Sequence, residues 1–225
     1  MKHPLDNPVW HAAISGNSGL ASGSEQVKLF DTDVSPFACM AESTVENLLG
    51  LYELNTENRT LFLWADQLLP MPDKWQVKHC IPGWQMVYNH PTVAVHEGAG
   101  IIPLTPQHVP AMLDLTHLTK PGPFGTRTIE FGNYEGIFEG DQLAAMTGQR
   151  FHCYDHIEIS AVCTHPDHQG KGYARRLLLS QLAAVLDSGS TPYLHVKSDN
   201  ARAIQVYESL GFTKRMDVFF YVIAK

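Results

Sequence analysis

The sequence has no surplus of basic residues and no long apolar run. Its 225 residues include 16 Lys and Arg against 23 Asp and Glu, which gives a formal net charge of −7. A nucleic-acid partner is not expected, because a basic surplus would be needed to neutralise phosphates, whereas an acidic surface favours cationic partners such as amines. No apolar run approaches membrane-spanning length, and the N-terminal residues lack the apolar stretch of a signal peptide. We therefore expect no membrane partner.

The cysteines also show no pattern that would indicate a disulfide framework. Cys39, Cys80, Cys153 and Cys163 are far apart and form no C-x-x-C pair. Reduced thiols in a cytosol fit this spacing better than disulfides do. The apolar share of 44% is ordinary for a globular chain. We predict a soluble, cytoplasmic protein.

One junction carries the strongest signal in the sequence. A strand-like run, His156–Thr164, is followed by the segment His165–Ala174, which opens a long amphipathic helix. Gly170 and Gly172 in this segment allow consecutive backbone N–H groups to bend around an anion, and the positive end of the helix dipole points to the same place. The junction predicts a pyrophosphate-binding turn.

The chain divides into two segments at about residue 95. Residues 1–95 contain short apolar runs at Val27–Phe30, Thr60–Trp64 and Trp84–Tyr88, together with a helix near Thr44–Leu54, but no catalytic motif. We predict an N-terminal α/β module of unknown role, for which a degenerate acyltransferase-like half is one interpretation. Residues 96–225 would then form the catalytic domain.

The second segment predicts nine elements in the order β-α-β-β-β-α-β-α-β. The expected strands are 101–104, 134–138, 143–151, 156–164, 191–197 and 214–223, and the expected helices are 106–118, 174–187 and 201–210. Their apolar patterns describe an α/β (α+β) fold in which a mixed, mostly antiparallel sheet is flanked by helices on both faces.

Two motifs in this segment resemble a known family. Gln169-x-x-Gly172-x-Ala174 follows a strand, and Asn200-x-x-Ala-x-x-x-Tyr207-Glu-x-x-Gly-Phe212 lies downstream. Together they resemble the GNAT superfamily of acyl-CoA-dependent N-acyltransferases, and more narrowly its glycine N-acyltransferase-like branch. The resemblance covers about residues 100–225 and implies acetyl-CoA as co-substrate, no metal, and a strand that bulges near Val162.

Acetyl-CoA offers a pyrophosphate, which needs bent backbone donors, and a pantetheine arm, which needs an extended edge. The predicted donors surround the glycine turn, the edge belongs to the preceding strand, and the family's Asn contacts the cofactor arm. The predicted cofactor-binding residues are Val162, Cys163, Thr164, Gln169, Gly170, Lys171, Gly172, Tyr173, Ala174, Arg175 and Asn200. The alternative is a plain strand-to-helix turn whose glycines serve only the geometry.

Three residues are candidates for catalysis. The resemblance implies that Tyr207 protonates the departing CoA thiolate, although Tyr207 also fits a core aromatic at helical spacing. An amine with a pKa near 10 is neutral in only about one molecule in a thousand at pH 7, so a base should help to deprotonate it. Glu158 lies where one branch of the family places a glutamate base, and His195 lies where several members carry a glutamate. A paired strand carboxylate and an ordinary strand histidine are the alternatives.

A cluster of histidines and cysteines offers a rival metal site. His152, Cys153, His156, Cys163, His165 and His168 crowd a short stretch, but their spacing matches no zinc motif and strand alternation separates them. We therefore predict no metal. For the acceptor pocket we predict the segment Gly122–Tyr134, with a contribution from the N-terminal half as a further option, and Phe124, Arg127 and Tyr134 are candidates that also fit loop and packing roles.

The sequence as a whole predicts an enzyme of the acyl-CoA-dependent N-acyltransferase class. A small-molecule or peptide amine would attack the thioester directly in a ternary complex, without a covalent enzyme intermediate. The alternative is a non-catalytic acyl-CoA sensor or regulatory protein on the same fold. The acceptor, the acyl chain and the oligomeric state stay open, and a homodimer is compatible with the sequence.

Overall fold

The computed structural model describes residues 3–93 and 100–225. Within these stretches the α-helices α1 to α5 span Pro8–Ile14, Val45–Leu54, Val109–Thr119, Tyr173–Asp187 and Ala201–Leu210. The strands β1 to β6 span Ala21–Gly23, Val27–Phe30, Ala38–Met40, Leu61–Ala65, Gln76–Tyr88 and Ile101–Pro103. The strands β7 to β11 span Glu135–Glu139, Gln142–Cys153, His156–Thr164, Thr191–Lys197 and Phe212–Ala224.

Eight strands form one sheet in the order β4-β11-β5-β10-β9-β8-β7-β6, and β1 to β3 form a small second sheet. Every neighbouring pair in the large sheet is antiparallel except β9 and β10, which are parallel. Helices α4 and α5 pack on one face, and α1 and α3 contact the sheet from the opposite face. The predicted mixed, mostly antiparallel sheet flanked by helices is confirmed.

Helix α4 shows how the sequence pattern produces this packing. Leu177, Leu178, Leu182 and Val185 are completely buried against the sheet, as the apolar stripe predicts. Each buried leucine contributes roughly 1.5–3 kcal/mol relative to an exposed one. At the C-terminal end, Gly189 adopts φ +78°, a conformation that stops the helix and that glycine reaches without strain. The helix is therefore fixed in position and its N-terminus has a defined location.

The first segment contributes strands to the same sheet as the second. Strand β5 lies between β10 and β11, and β4 pairs with the outer edge of β11. Removing β5 would leave two rows of backbone hydrogen-bonding groups without partners. The predicted division at about residue 95 stays a prediction, and the boundary itself lies outside the described residues.

Candidate active site

The glycine turn has the conformation that the sequence predicts. Gly170 and Gly172 adopt φ of +79° and +78°, and Gly172 is the N-cap of α4 without a side-chain capping bond. A Cβ atom at either glycine would meet no atom within 4 Å, so these positions need glycine for backbone conformation and not for space. The first N–H groups of α4 are therefore open to an anion that approaches from outside.

Strand β9 separates from β10 just before this turn. The two strands pair from Thr191 opposite His156 to Tyr193 opposite Glu158, and beyond that point their pairing stops. The register with β8 also shifts between Met146 and Gly148, and Ala161 adopts a left-handed φ of +53°. The bulge near Val162 that the family resemblance implies is confirmed, and it leaves Ala161 and Val162 without paired residues on β8.

A cleft of about 1090 Å³ passes through this opening. Its volume lies just above the roughly 300–1,000 Å³ typical of small-molecule sites, which suits a site for two substrates. One side, which we call the cofactor side, is lined by Val162, Cys163, Thr164, Gln169, Gly170, Gly172, Tyr173, Ala174, Arg175, Asn200 and Tyr207. The other, which we call the acceptor side, is lined by Phe37, Phe62, Ile81, Arg150, His195 and Phe220.

Some predicted cofactor residues have a second role or lie apart from the cleft. Lys171 is not part of the lining, and its Nζ lies 3.7 Å from Glu139 Oε1 and 3.1 Å from a ring nitrogen of His168. The Asn200 side chain accepts a hydrogen bond from the N–H of Ala203, which makes it the N-cap of α5. Burial raises the pKa of the Cys163 thiol to about 12, so this residue can offer its backbone but not a reactive thiolate.

Tyr207 lies on α5 and faces the cofactor side of the cleft. Its side chain is nearly buried beside Phe212, so it is both a core aromatic and a lining residue. Burial raises the pKa of its hydroxyl to about 12. Within residues 3–93 and 100–225 the hydroxyl has no hydrogen-bond partner. A phenol in this state keeps its proton at neutral pH and is free to donate it.

The two candidate bases, Glu158 and His195, are in direct contact. His195 Nδ1 lies 2.7 Å from Glu158 Oε1, and both side chains are buried. Arg150 donates to both carboxylate oxygens of Glu158, from Nε at 2.8 Å and from Nη2 at 2.7 Å. Burial alone would raise the pKa of Glu158, but the charges and hydrogen bonds of Arg150 and His195 lower it to about 2. Such a carboxylate is a weak base and a strong hydrogen-bond acceptor.

The second ring nitrogen of His195 is also engaged. Trp64 Nε1 donates to His195 Nε2 at 3.0 Å, and Gln85 Nε2 lies 3.3 Å from the same atom. Because an indole N–H can only donate, His195 Nε2 must be the acceptor, and the proton of the neutral ring is on Nδ1 facing Glu158. Trp64 and Glu158 therefore fix one tautomer, and this leaves a lone pair on Nε2.

Local sequence patterns did not reveal the residues that complete this network. Arg150, Trp64 and Gln85 come from three strands, two of them in the first segment, and no motif connects them. Of the guessed acceptor segment, Gly122 and Pro123 line the cleft, and Phe124 and Tyr134 line a small cavity beside Arg150. Arg127 instead pairs at the surface with Glu130 and Asp31. Arg150, Trp64 and Gln85 meet Glu158 and His195 only because strands that are distant in the sequence pair in the sheet.

Two negative observations apply to the parts of the chain that the structure describes. No group of three or more His, Cys, Asp or Glu side chains there is arranged to hold a metal ion. None of the helices in those parts combines the length and apolar composition of a membrane span.

Comparison with known proteins identifies the class. The family described as FR47-like protein matches residues 134–221. A protein from Novosphingobium aromaticivorans, assigned to the GNAT family of acetyltransferases, has a crystal structure that matches with a TM-score of 0.93 and 33% identity. That match covers 100% of this chain and 99% of the other. The fold and site therefore define an acetyltransferase, and the chain belongs to the GNAT family.

Two curated relatives match over shorter stretches. Mycothiol acetyltransferase from Nocardiopsis dassonvillei is 42% identical over 57 residues, which are 24% of this chain and 17% of that protein. An L-amino acid N-acyltransferase from Escherichia coli is 35% identical over 63 residues, which are 28% of this chain and 37% of that protein. The chain thus matches well under half the length of each of these relatives.

Proposed function

We propose that this protein transfers an acetyl group from acetyl-CoA to a primary amine. One observation carries the proposal: a left-handed glycine turn at the N-terminus of α4 opens into the same cleft as the Tyr207 hydroxyl. GNAT acetyltransferases use acetyl-CoA, which supplies an activated acyl thioester. Placement in the glycine N-acyltransferase-like branch stays a prediction.

The cofactor side fits the charge and shape of coenzyme A. The main-chain N–H groups after Gly170 and Gly172 are available for a diphosphate, and Arg175 adds a cation at the same helix end. Beyond the turn, the unpaired backbone of Ala161 and Val162 offers hydrogen-bonding groups to an extended arm and to a carbonyl oxygen. These residues would hold the co-substrate across the split between β9 and β10.

On the acceptor side, His195 suits the role of base better than Glu158 does. Glu158 is committed to Arg150 and stabilises the His195 ring, whereas His195 Nε2 has a lone pair that, among the described residues, is covered only by the N–H groups of Trp64 and Gln85. We infer that the amine displaces these donors and passes its proton to His195 Nε2. A bond forms between nitrogen and the acyl carbon, the carbon–sulfur bond breaks, and Tyr207 donates the proton that the thiolate needs.

The base assignment is tested by comparing pH–rate profiles. If His195 accepts the proton, activity should fall as the pH is lowered. His195→Gln should abolish this fall at low pH together with most of the turnover. Trp64→Phe removes the indole N–H that fixes the tautomer of His195, so its pH–rate profile should differ from that of the wild type. An unchanged profile in both variants would remove His195 from the mechanism.

The activity itself is tested with purified protein, acetyl-CoA and a panel of primary amines, by following free thiol and the mass of the products. Thiol release that depends on the amine, with one acetyl group added to it, is the expected result. Tight CoA binding without release by any amine would overturn the enzyme proposal in favour of an acyl-CoA sensor.

A further inference from the structure

The acceptor side of the cleft has an apolar lining. Phe37 and Phe62 lie with ring centroids 5.8 Å apart, and Phe220 lies 5.4 Å from the His195 ring. Ile81 completes this lining. An amine that fits these walls would gain most by burying an apolar body of its own.

Arg150 presents an unused hydrogen-bonding edge to this apolar space. Its Nε and Nη2 bond to Glu158, whereas Nη1 has no partner among the described residues. The side chain is 12% exposed, lines the cleft, and stacks on the rings of Phe37 and Phe151 at 5.0 Å and 4.7 Å. A guanidinium held rigidly with free N–H groups is well placed to bind an anionic oxygen.

The charges along the cleft have one sign, in contrast to the chain as a whole. The charged lining residues are Lys120, Arg150, Arg175, Lys197 and Arg202, and the described part of the lining contains no Asp or Glu. Arg175 lies at the glycine turn, but Lys120 precedes the Pro121–Pro123 stretch that lies beside Arg150. Lys120 has no ion-pair partner within the described stretches.

This charge pattern discriminates between classes of amine. A polyamine or a polycationic drug would find no carboxylate in the described lining to replace its water, because the only carboxylate nearby, Glu158, is already paired with Arg150, and the Lys120 ammonium would repel it. An amine that also carries a carboxylate would find Arg150 Nη1 and Lys120. The overall charge of −7 favours cations at the outer surface, but the lining reverses that preference inside the cleft.

We propose that the acceptor is an amino acid with a large apolar side chain. Its carboxylate pairs with Arg150 Nη1 and Lys120, and its side chain lies against Phe37, Phe62 and Phe220. This inference rests on the proposed acetyltransferase function and names the acceptor class for the same site. In this arrangement Arg150 has two roles, since one edge fixes Glu158 and the other selects the substrate.

The test compares phenylalanine and leucine with phenethylamine, which lacks the carboxylate, with glycine, which lacks the side chain, and with spermine. Phenylalanine should exceed phenethylamine in kcat/KM by about 10- to 100-fold, as expected for charge-assisted bonds to one carboxylate. Lys120→Ala and Arg150→Lys should each reduce that ratio. Lys74→Ala, which removes a surface lysine outside the cleft lining, should leave the ratio unchanged.

A binding measurement gives a readout that does not depend on turnover. Calorimetric titration should show that N-acetylphenylalanine binds more tightly than N-acetylphenethylamine, and Lys120→Ala should reduce the difference without weakening CoA binding. Arg150→Lys can lower stability. If the Arg150→Lys protein does not fold, the measurement is made with Lys120→Ala alone.

The outcomes separate this inference from the proposed function. Acetylation of all the amines without a preference for the carboxylate, or a preference for spermine, would overturn the acceptor class and leave the acetyltransferase intact. CoA binding without acetylation of any amine would instead overturn the proposed function.

Discussion

The two sides of the cleft are built in different ways. The cofactor side is largely one continuous junction, in which β9, the glycine turn and the start of α4 follow one another along the chain. The acceptor side takes Phe37 and Phe62 from the first segment, Arg150 from β8, His195 from β10 and Phe220 from β11. The first side relies on main-chain N–H groups, whereas the second relies on buried charged and aromatic side chains.

This difference follows from what each side must recognise. Backbone conformation at two glycines is sufficient for a diphosphate, because any residues with N–H groups in that arrangement can bind it. Selection of an acceptor requires particular side chains, and burying a carboxylate and a guanidinium together requires an almost complete set of partners. Disrupting the acceptor side should therefore cost more stability than disrupting the cofactor side.

The largest expected effect is the loss of Arg150. Arg150→Met leaves the buried Glu158 carboxylate without its guanidinium and should lower the free energy of unfolding by about 3–5 kcal/mol. Urea unfolding followed by fluorescence measures this change. Adding Glu158→Gln should restore part of the loss, because the uncompensated charge is then removed. A single-variant loss below about 1 kcal/mol would mean that water solvates Glu158, contrary to its burial.

Removal of the Tyr207 hydroxyl should have the next largest effect. Tyr207→Phe keeps the ring in its packed position and deletes the proton donor, so kcat should fall by about 100-fold while the Kd for CoA changes little. Steady-state kinetics and calorimetry check the two values separately. Turnover within about twofold of the wild type would show that another group, or water, protonates the thiolate.

A smaller effect is expected at the glycine turn, where α4 provides a matched control. Gly172 and Gly189 both adopt φ +78° in open surroundings, but only Gly172 lines the cleft. Alanine at either position should cost roughly 1–2 kcal/mol of stability through backbone strain. Only Gly172→Ala should also weaken CoA binding measured by calorimetry. Equal CoA affinity in both variants would indicate that the turn does not hold the diphosphate.

The smallest effect concerns two histidines where the N-terminal segment packs against β8. His11 Nδ1 and His152 Nε2 are buried and have no hydrogen-bond partner among the described residues, and burial lowers the pKa of both side chains from the ordinary value of 6.5. The unfolded chain therefore takes up these protons at higher pH than the native one does, so stability should fall as the pH drops below about 6.5. Thermal unfolding of His152→Gln should show a weaker pH dependence there than the exposed His117→Gln control. Identical dependence in both would contradict this account.

The sequence predicted the cofactor side better than the acceptor side, for a physical reason. Glycine turns, N-caps and helical stripes are local, and the turn at Gly170 and Gly172, the stripe of α4 and the strand order after residue 100 are confirmed. The apolar run Trp84–Tyr88 predicted only the last five of the 13 residues of β5, because the earlier part of this strand is mostly exposed and lacks an apolar pattern. The ion pair of Glu158 with Arg150 depends on an irregular register between β8 and β9, which no local pattern encodes.

The most direct test of the account is a crystal structure of the protein with coenzyme A. Diphosphate oxygens should accept hydrogen bonds from the main-chain N–H groups between Gly170 and Arg175. The sulfur should lie beside the Tyr207 hydroxyl in the opening between β9 and β10. Phosphates bound elsewhere, or a sulfur remote from Tyr207, would contradict it.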